Sequence, residues 1–279
     1  MQILITNDDG YSAKGLATLV KMAQKWGDVT VIAPKSPQSG MGMAVNLGIK
    51  RLAYRDLGTR DGVKWSYLDA TPASCVKFGL YSMSTRPDLI LSGINHGSNA
   101  TTGACYSGTL GACQEGTING IPSIGVSLAT GKADADFSAV EKYFPEIFRK
   151  LMAGLPVPKG VYYNVNFPVL TPEEIKGVRV TTMGIGHWIK EFTGWDPDLI
   201  RKDGIARQGA PMLFPEPEEG EVMYMMRGDY VDDADNGPLA DNHAMADGYI
   251  AVTALNVFNA DREEEARLRA GGLDEDFRA

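Results

Sequence analysis

Asp8 and Asp9 stand side by side between a short apolar run, Ile3-Leu4-Ile5, and Gly10. Adjacent carboxylates repel, so at neutral pH the pair needs a proton, a basic partner or a metal cation. A hard divalent ion such as Mg2+ or Mn2+ takes oxygen ligands and keeps several waters, so one or two carboxylates suffice to anchor it. The same Asp-Asp-Gly stretch also serves as an ordinary strand-to-turn exit, with Asn7 or Asp8 capping the turn. Taken alone, the pair fits both descriptions equally.

Later loops add donors. Ser36 and Ser39 precede Gly40, and Asn95, Gly97 and Asn99 come after another apolar run. Hydroxyl and amide oxygens are acceptable ligands for a hard cation, and glycine lets the backbone come close. Singly, Ser39 reads more simply as a loop serine and Asn95 as a turn residue. Tyr106-Ser107-Gly108-Thr109 opens a helical stretch, whose free N–H groups make a phosphate cradle. An isolated Ser107 would be a plain N-cap. His96 is either a proton donor or phosphate contact, or an exposed loop residue, and the second is the simpler reading. His187-Trp188, with Phe192 and Trp195, would form an aromatic wall for a base or, more economically, a satellite apolar cluster.

These groups meet only if the chain builds the right frame. Residues 3–6 and 29–33 predict strands flanking a helix over 14–26, in which Leu16, Leu19, Val20 and Ala23 share one face. Asp88 to Asn95 predicts a third core strand. Helices are predicted over 72–82, with Thr71 as N-cap and Pro72 in the first turn, and over 107–119. Residues 43–70 look like a strand pair outside the central sheet. Further strands are expected near 122–126, 161–167 and 178–183, with an amphipathic helix through Val140, Phe144, Ile147 and Leu151. Near-continuous apolar strands alternating with amphipathic helices predict an α/β fold, a mostly parallel sheet with helices on both faces. In such sheets the carboxyl ends of neighbouring strands converge on one crevice, so the three polar loops favour a site over three unrelated turns.

The expected organisation is a catalytic core over 1–184, a β-rich accessory arm over 185–240 used in oligomerisation, and a C-terminal strand with a charged tail helix over 241–279. One clear strand is expected near 221–226, a short helix over 241–248 and a late strand over 249–253. At 279 residues, 44% hydrophobic and 22% charged, the composition is that of an ordinary globular protein. A net charge of −8 argues against binding a nucleic-acid polymer but allows a small anion held by metal and backbone amides. Cys75, Cys105 and Cys113 form neither a disulfide framework nor a zinc knuckle. Met1-Gln2 runs into a strand without a signal-like segment, and no apolar stretch nears the ~20 residues that span a bilayer. A cytoplasmic protein with no membrane association is expected.

Asn7-Asp8-Asp9-Gly10, Ser39-Gly40, Ser92-Gly93-Ile94-Asn95-His96-Gly97-Ser98-Asn99 and Tyr106-Ser107-Gly108-Thr109 resemble, in order and spacing, the SurE family of survival-protein phosphatases. Thr71-Pro72-Ala73-Ser74-Cys75-Val76 and Gly120-Ile121-Pro122-Ser123-Ile124 are similar to it too, so the resemblance covers roughly residues 1–130. It implies a Rossmann-like core, a metal-dependent nucleoside monophosphate phosphohydrolase (5′- and 3′-nucleotidase), and homodimers or homotetramers built partly by exchanged C-terminal elements. It implies one divalent ion held by Asp8, Asp9, Ser39 and Asn95. The chain departs from the family pattern at Thr101, where a glycine is usual, at Gly103-Ala104, at Ala240-Asp241 and at Thr253-Ala254-Leu255. The metal positions are untouched.

In the chemistry expected of this set, Ser107, Gly108, Thr109 and nearby amides grip a phosphoryl group, Asn99 steadies developing charge, and Asp8 or Asp9 accepts a water proton. Two alternatives are non-catalytic. One is a magnesium-dependent signalling module of the phosphoacceptor kind, which needs a third aspartate where this chain has Asn95. The other is an inactive nucleotide-binding assembly protein, against which the intact acidic pair argues.

Overall fold

The computed structural model describes residues 1–48, 51–196 and 217–271. A nine-stranded sheet runs in the order β3-β4-β2-β1-β5-β6-β7-β13-β8. Its strands are β1 (Gln2–Thr6), β2 (Asp28–Pro34), β3 (Tyr54–Arg60), β4 (Val63–Leu68), β5 (Leu89–His96), β6 (Ser123–Leu128), β7 (Val161–Phe167), β8 (Gly177–Thr181) and β13 (Tyr249–Asn256). From β4 to β7 the pairings are parallel, while β3 on β4 and β13 on β7 are antiparallel. This is the predicted α/β architecture.

Alternation along β1 divides the core. Ile3 and Ile5 face the helices α1 (Lys14–Ala23) and α5 (Ser138–Ala153), packing with Leu16, Leu19, Val140 and Phe144. Leu4 faces α2 (Pro72–Ser82) and α4 (Gly108–Ile118), packing with Cys75, Val76, Ile90 and Ala112. Thr71 caps α2 with its hydroxyl on the Ser74 N–H, with Pro72 in the first turn as predicted. A four-residue helix, α3 (Gly103–Tyr106), precedes α4.

One expectation is corrected. Residues 43–70 do not lie outside the sheet: β4 pairs parallel with β2 from Thr30↔Lys64 to Pro34↔Leu68, and only its partner β3 forms the edge. Val63, Ser66 and Leu68 are buried at alternate or near-alternate positions, an in–out pattern that polar Lys64 and Ser66 obscure in the sequence.

Between β8 and β13 the chain forms an arm of two small two-stranded sheets. Its strands are β9 (Gly186–Ile189) paired with β12 (Asp229–Asp232), and β10 (Phe192–Gly194) paired with β11 (Tyr224–Met226). The strand predicted near 221–226 is β11. Residues 197–216, part of the predicted arm, lie outside the described residues. A short helix, Asp241–Ala246, leads into β13, and a charged helix, Arg262–Ala270, comes after it. The frayed end expected beyond it falls outside the described residues from 272 onward.

Candidate active site

The strand order reverses at β1. After β1 the chain moves outward through β2, then returns to lay β5 against the other side of β1. Loops leaving β1 and β5 therefore diverge, opening a crevice at their carboxyl ends. Asp8 and Asp9 lie just past the end of β1, and Asn95 and His96 end β5.

The acidic pair straddles this crevice. Because β1 stops at Thr6, Asp8 and Asp9 sit in a bend that sends their carboxylates to different neighbours. The Thr109 hydroxyl of α4 donates to Asp8 Oδ1 at 2.5 Å. The His96 backbone N–H donates to Asp9 Oδ2 at 3.0 Å. Asn7 closes the bend by donating from Nδ2 to the Gly10 carbonyl at 3.0 Å. Burial, then the neighbouring Asp9 charge, push the Asp8 carboxyl up to about 7 despite the Thr109 bond. Burial likewise pushes Asp9 up to about 6, opposed by the His96 N–H. Among the described residues neither carboxylate has an ion-pair partner.

The remaining loops close around the pair. The Gln38 N–H donates to the Asp8 carbonyl at 2.7 Å, fastening the Ser36–Gly40 loop beside β1. Ser39 is exposed on that loop at the cavity wall. The Asn95 amide donates from Nδ2 to the Gly97 carbonyl at 2.9 Å, which leaves Oδ1 as the acceptor available to a ligand. Gly108 begins α4 so close to Asp8 that an added Cβ would lie 2.9 Å from Asp8 Cβ.

Asp8, Ser39, Asn95, Asn99 and Ser107 line one cavity of about 690 Å3. Asp9 adjoins it through His96, itself a lining residue. Thr109 is fully buried, with its hydroxyl on Asp8 rather than at the cavity wall. Ser107 caps α4, accepting the Leu110 N–H at 3.1 Å, and keeps its own O–H as a donor. The Gly108 N–H belongs to the first turn of α4, where backbone donors lack intrahelical acceptors.

Asn99 is held on every side. Its N–H donates to Asn166 Oδ1 at 2.9 Å, its carbonyl accepts from Asn164 Nδ2 at 2.8 Å, and its own Nδ2 donates to Ser127 Oγ at 2.8 Å. Asn166 in turn donates to Asn164 Oδ1 at 2.9 Å. All of these partners are fully buried. The sequence offered a sign of this network, the polar Asn164 and Asn166 at alternate positions of the otherwise core-like β7, which an apolar-pattern search passes over.

His96 is neither exposed nor free to shuttle protons. Its Nε2 accepts the Gly15 N–H at 3.2 Å, and its Nδ1 meets the Lys132 carbonyl at 2.8 Å. Those partners require the neutral ring protonated on Nδ1, and burial lowers its pKa.

Asp241 is the site residue that sequence reasoning treats only as a departure from a pattern. It is fully buried, and its carboxylate accepts N–H groups from Thr101, Gly184 and Asn242. It thus ties the Asn99 loop to the base of the arm. Among the aromatic residues considered for a base wall, Trp188 lines the cavity, together with Glu191, Met226, Arg227 and Gly228 of the arm.

All candidate ligand atoms are oxygens: carboxylates from Asp8 and Asp9, a hydroxyl from Ser39 and an amide from Asn95. That donor set suits a hard divalent cation rather than zinc or copper. A cation would favour the charged carboxylates against the burial that raises both and the Asp9 charge that further raises Asp8.

A family model described as "Survival protein SurE" matches residues 3–190. The chain is 38% identical over 257 residues to 5′-nucleotidase SurE of Christiangramia forsetii, covering 91% of this chain and 90% of that one. It is 35% identical over 254 residues to 5′-nucleotidase SurE of Cytophaga hutchinsonii, covering 90% and 88%. The crystal structure of SurE protein from Aquifex aeolicus superposes with a TM-score of 0.75 at 29% identity, over 98% of this chain and 100% of that one. With its acidic pair, its strand-end loops and its α4 N-terminus in one crevice, this chain belongs to the SurE family.

Proposed function

We propose that this chain is a metal-dependent phosphohydrolase that removes the phosphate from nucleoside 5′-monophosphates, with 3′-monophosphates as a second substrate class. The observation that carries this reading is the convergence of Asp8, Ser39, Asn95, Asn99 and Ser107 on one cavity beside a carboxylate pair, Asp8 buried and Asp9 half-buried. Relatives named 5′-nucleotidase SurE, similar over about nine-tenths of the chain, support the substrate class.

Asp8, Asp9, Ser39 and Asn95 would hold one divalent ion, Mg2+ or Mn2+. Such an ion supplies Lewis-acid polarisation of phosphoryl and water oxygens. The chain's own groups do the rest. The Ser107 O–H and the Gly108 N–H bind phosphoryl oxygens at the positive end of α4. Thr109 fixes the Asp8 carboxylate, so its part in phosphate binding is indirect. The second N–H of the Asn99 amide is directed by its buried partners and stabilises charge that builds during transfer. One of the two aspartates accepts the proton of the attacking water.

The arm supports assembly into a homodimer or homotetramer. Phe192 lies across the strands from Met226, and with Tyr224 on the same small sheet they form an exposed apolar patch of the kind that marks an interface. Light scattering of the intact chain measures that state. No helix among the described residues is long and apolar enough to cross a membrane. The cysteines are all free, which supports a reducing cytoplasm.

The test is hydrolysis of nucleoside monophosphates and p-nitrophenyl phosphate with Mg2+, Mn2+ or a chelator. Turnover should require the metal. Asp8→Asn and Asp9→Asn should each lower it by about a hundredfold or more with an unchanged circular dichroism spectrum. Wild-type turnover in both variants, or silence under every metal condition, rules the proposal out.

A further inference from the structure

Two unlike sets of residues line the cavity. Strand-end loops and the start of α4 supply polar groups, while the arm brings Trp188, Glu191, Met226, Arg227 and Gly228. A phosphoryl group alone does not need about 690 Å3. That volume falls in the range that holds a whole small organic ligand, roughly 300–1,000 Å3. The phosphate-binding groups leave the arm's side of it to whatever the phosphate is attached to.

Trp188 is fixed where it meets that part of a ligand. It pairs across the strands with Tyr230, the two rings lying edge to face with centroids 5.5 Å apart. Gly186, two residues earlier in β9, has no Cβ, and one there would collide with the Tyr230 ring. Gly186 is also held to the core: its carbonyl accepts the Thr102 hydroxyl at 2.8 Å. Thr102 adjoins α3, whose Gly103 and Tyr106 line the same cavity. The chain Thr102–Gly186–Trp188 therefore fixes an indole ring in the wall of the cavity that Asp8 and Ser107 also line. Trp188 remains 43% exposed, as a ring waiting for a ligand face would be.

We infer that Trp188 is the stacking platform for the base of a nucleotide whose phosphate lies between Ser107 and the Asp8–Asp9 pair. This rests on the function proposed above and deepens it: the core supplies the chemistry and the arm selects the leaving group. Every base has a π-face, so one indole favours nucleotides as a class over other phosphomonoesters without choosing strongly among bases. Trp188 is a specificity residue, remote from the reacting atoms.

Ribose 5-phosphate carries a hydroxyl at C1 where adenosine 5′-monophosphate carries adenine, so comparing the two isolates the contribution of the base. With the full-length protein and saturating Mn2+, kcat and KM are measured for both substrates in wild type, Trp188→Ala and Trp188→Phe. The expected result is a KM for adenosine 5′-monophosphate raised on the order of tenfold in Trp188→Ala. Ribose 5-phosphate should be hydrolysed as in wild type, and Trp188→Phe should restore most of the nucleotide KM. An unchanged nucleotide KM in Trp188→Ala overturns the inference while leaving the proposed function standing. Equal losses on both substrates also overturn it, because they would make Trp188 a support of the fold or of assembly. A wild-type enzyme that hydrolyses ribose 5-phosphate but no nucleoside monophosphate would defeat the proposed function itself, and this inference with it.

Discussion

The backbone N–H of Thr101 is directed at both carboxylate oxygens of Asp241, 3.1 and 3.0 Å away, across 140 residues of sequence. The bond holds Thr101 at a φ of 58°, a left-handed conformation that is unfavourable for a β-branched residue. The family pattern that the chain resembles has a glycine at this position. Both observations have one cause: the loop must turn sharply so that Asn99 faces the crevice while the next residues reach Asp241.

Thr101→Gly should therefore relieve strain without disturbing the bond, which uses only the backbone. A left-handed residue other than glycine costs about 1–2 kcal/mol, partly offset by the chain entropy glycine loses on folding. A net gain of about 1 kcal/mol would raise the melting temperature by about 2–4 °C for a domain of this size. Scanning calorimetry measures it, and turnover should stay close to wild type. A lower melting temperature would show that the Thr101 side chain contributes more than its backbone strain costs.

Thr109→Val keeps the shape of the side chain and removes the hydroxyl that donates to Asp8. Partners that orient a metal ligand typically matter by about 10–100-fold in metal affinity or activity. The expected outcome is a rise of that order in the Mn2+ concentration giving half-maximal activity, with little change in substrate KM at saturating metal. A metal titration of the variant reads both quantities. If only the substrate KM moved, Thr109 would be a phosphate contact after all.

Without metal, the raised carboxyl values of Asp8 and Asp9, about 7 and about 6 against an ordinary 3.8, make stability depend on pH. The folded protein then binds protons that the unfolded chain releases at lower pH. The pair's contribution is fully present below 3.8 and lost as pH rises through about 6 and about 7. In chelator, unfolding temperature should fall between about pH 4 and about pH 7. Adding Mn2+ at the higher pH should recover it, because a cation favours the charged pair. A stability that rises with pH in chelator would refute the assignment.

Much of the fold and the site is legible in the sequence, for physical reasons. Apolar runs such as Val29–Ala33 and Leu89–Leu91 are buried on both faces, so composition alone marks them as core strands. Asp8, Ser39, Asn95 and Asn99 come soon after such runs, and the geometry of a parallel sheet gathers the loops that leave its strand ends. The hidden part depends on contacts across the fold. Nothing local in Ser107-Gly108-Thr109 says that the threonine hydroxyl turns back to Asp8. His96 gives no hint that Gly15 and Lys132 will occupy both ring nitrogens. Asp241 reveals its role only when Thr101 and Gly184 come beside it. The place of β4 within the sheet is masked because Lys64 and Ser66 dilute its apolar pattern.

The sheet order carries a consequence for synthesis. Among the described residues β8 bonds to no strand except β13, and β13 lies between β7 and β8 although it comes after both in sequence. On a ribosome, β8 must wait with its edge bare until Tyr249–Asn256 has emerged. Asp241 emerges just ahead of that strand, and it closes the Thr101 loop beside Asn99. The Rossmann-like half can thus be largely folded while its crevice is still unfinished.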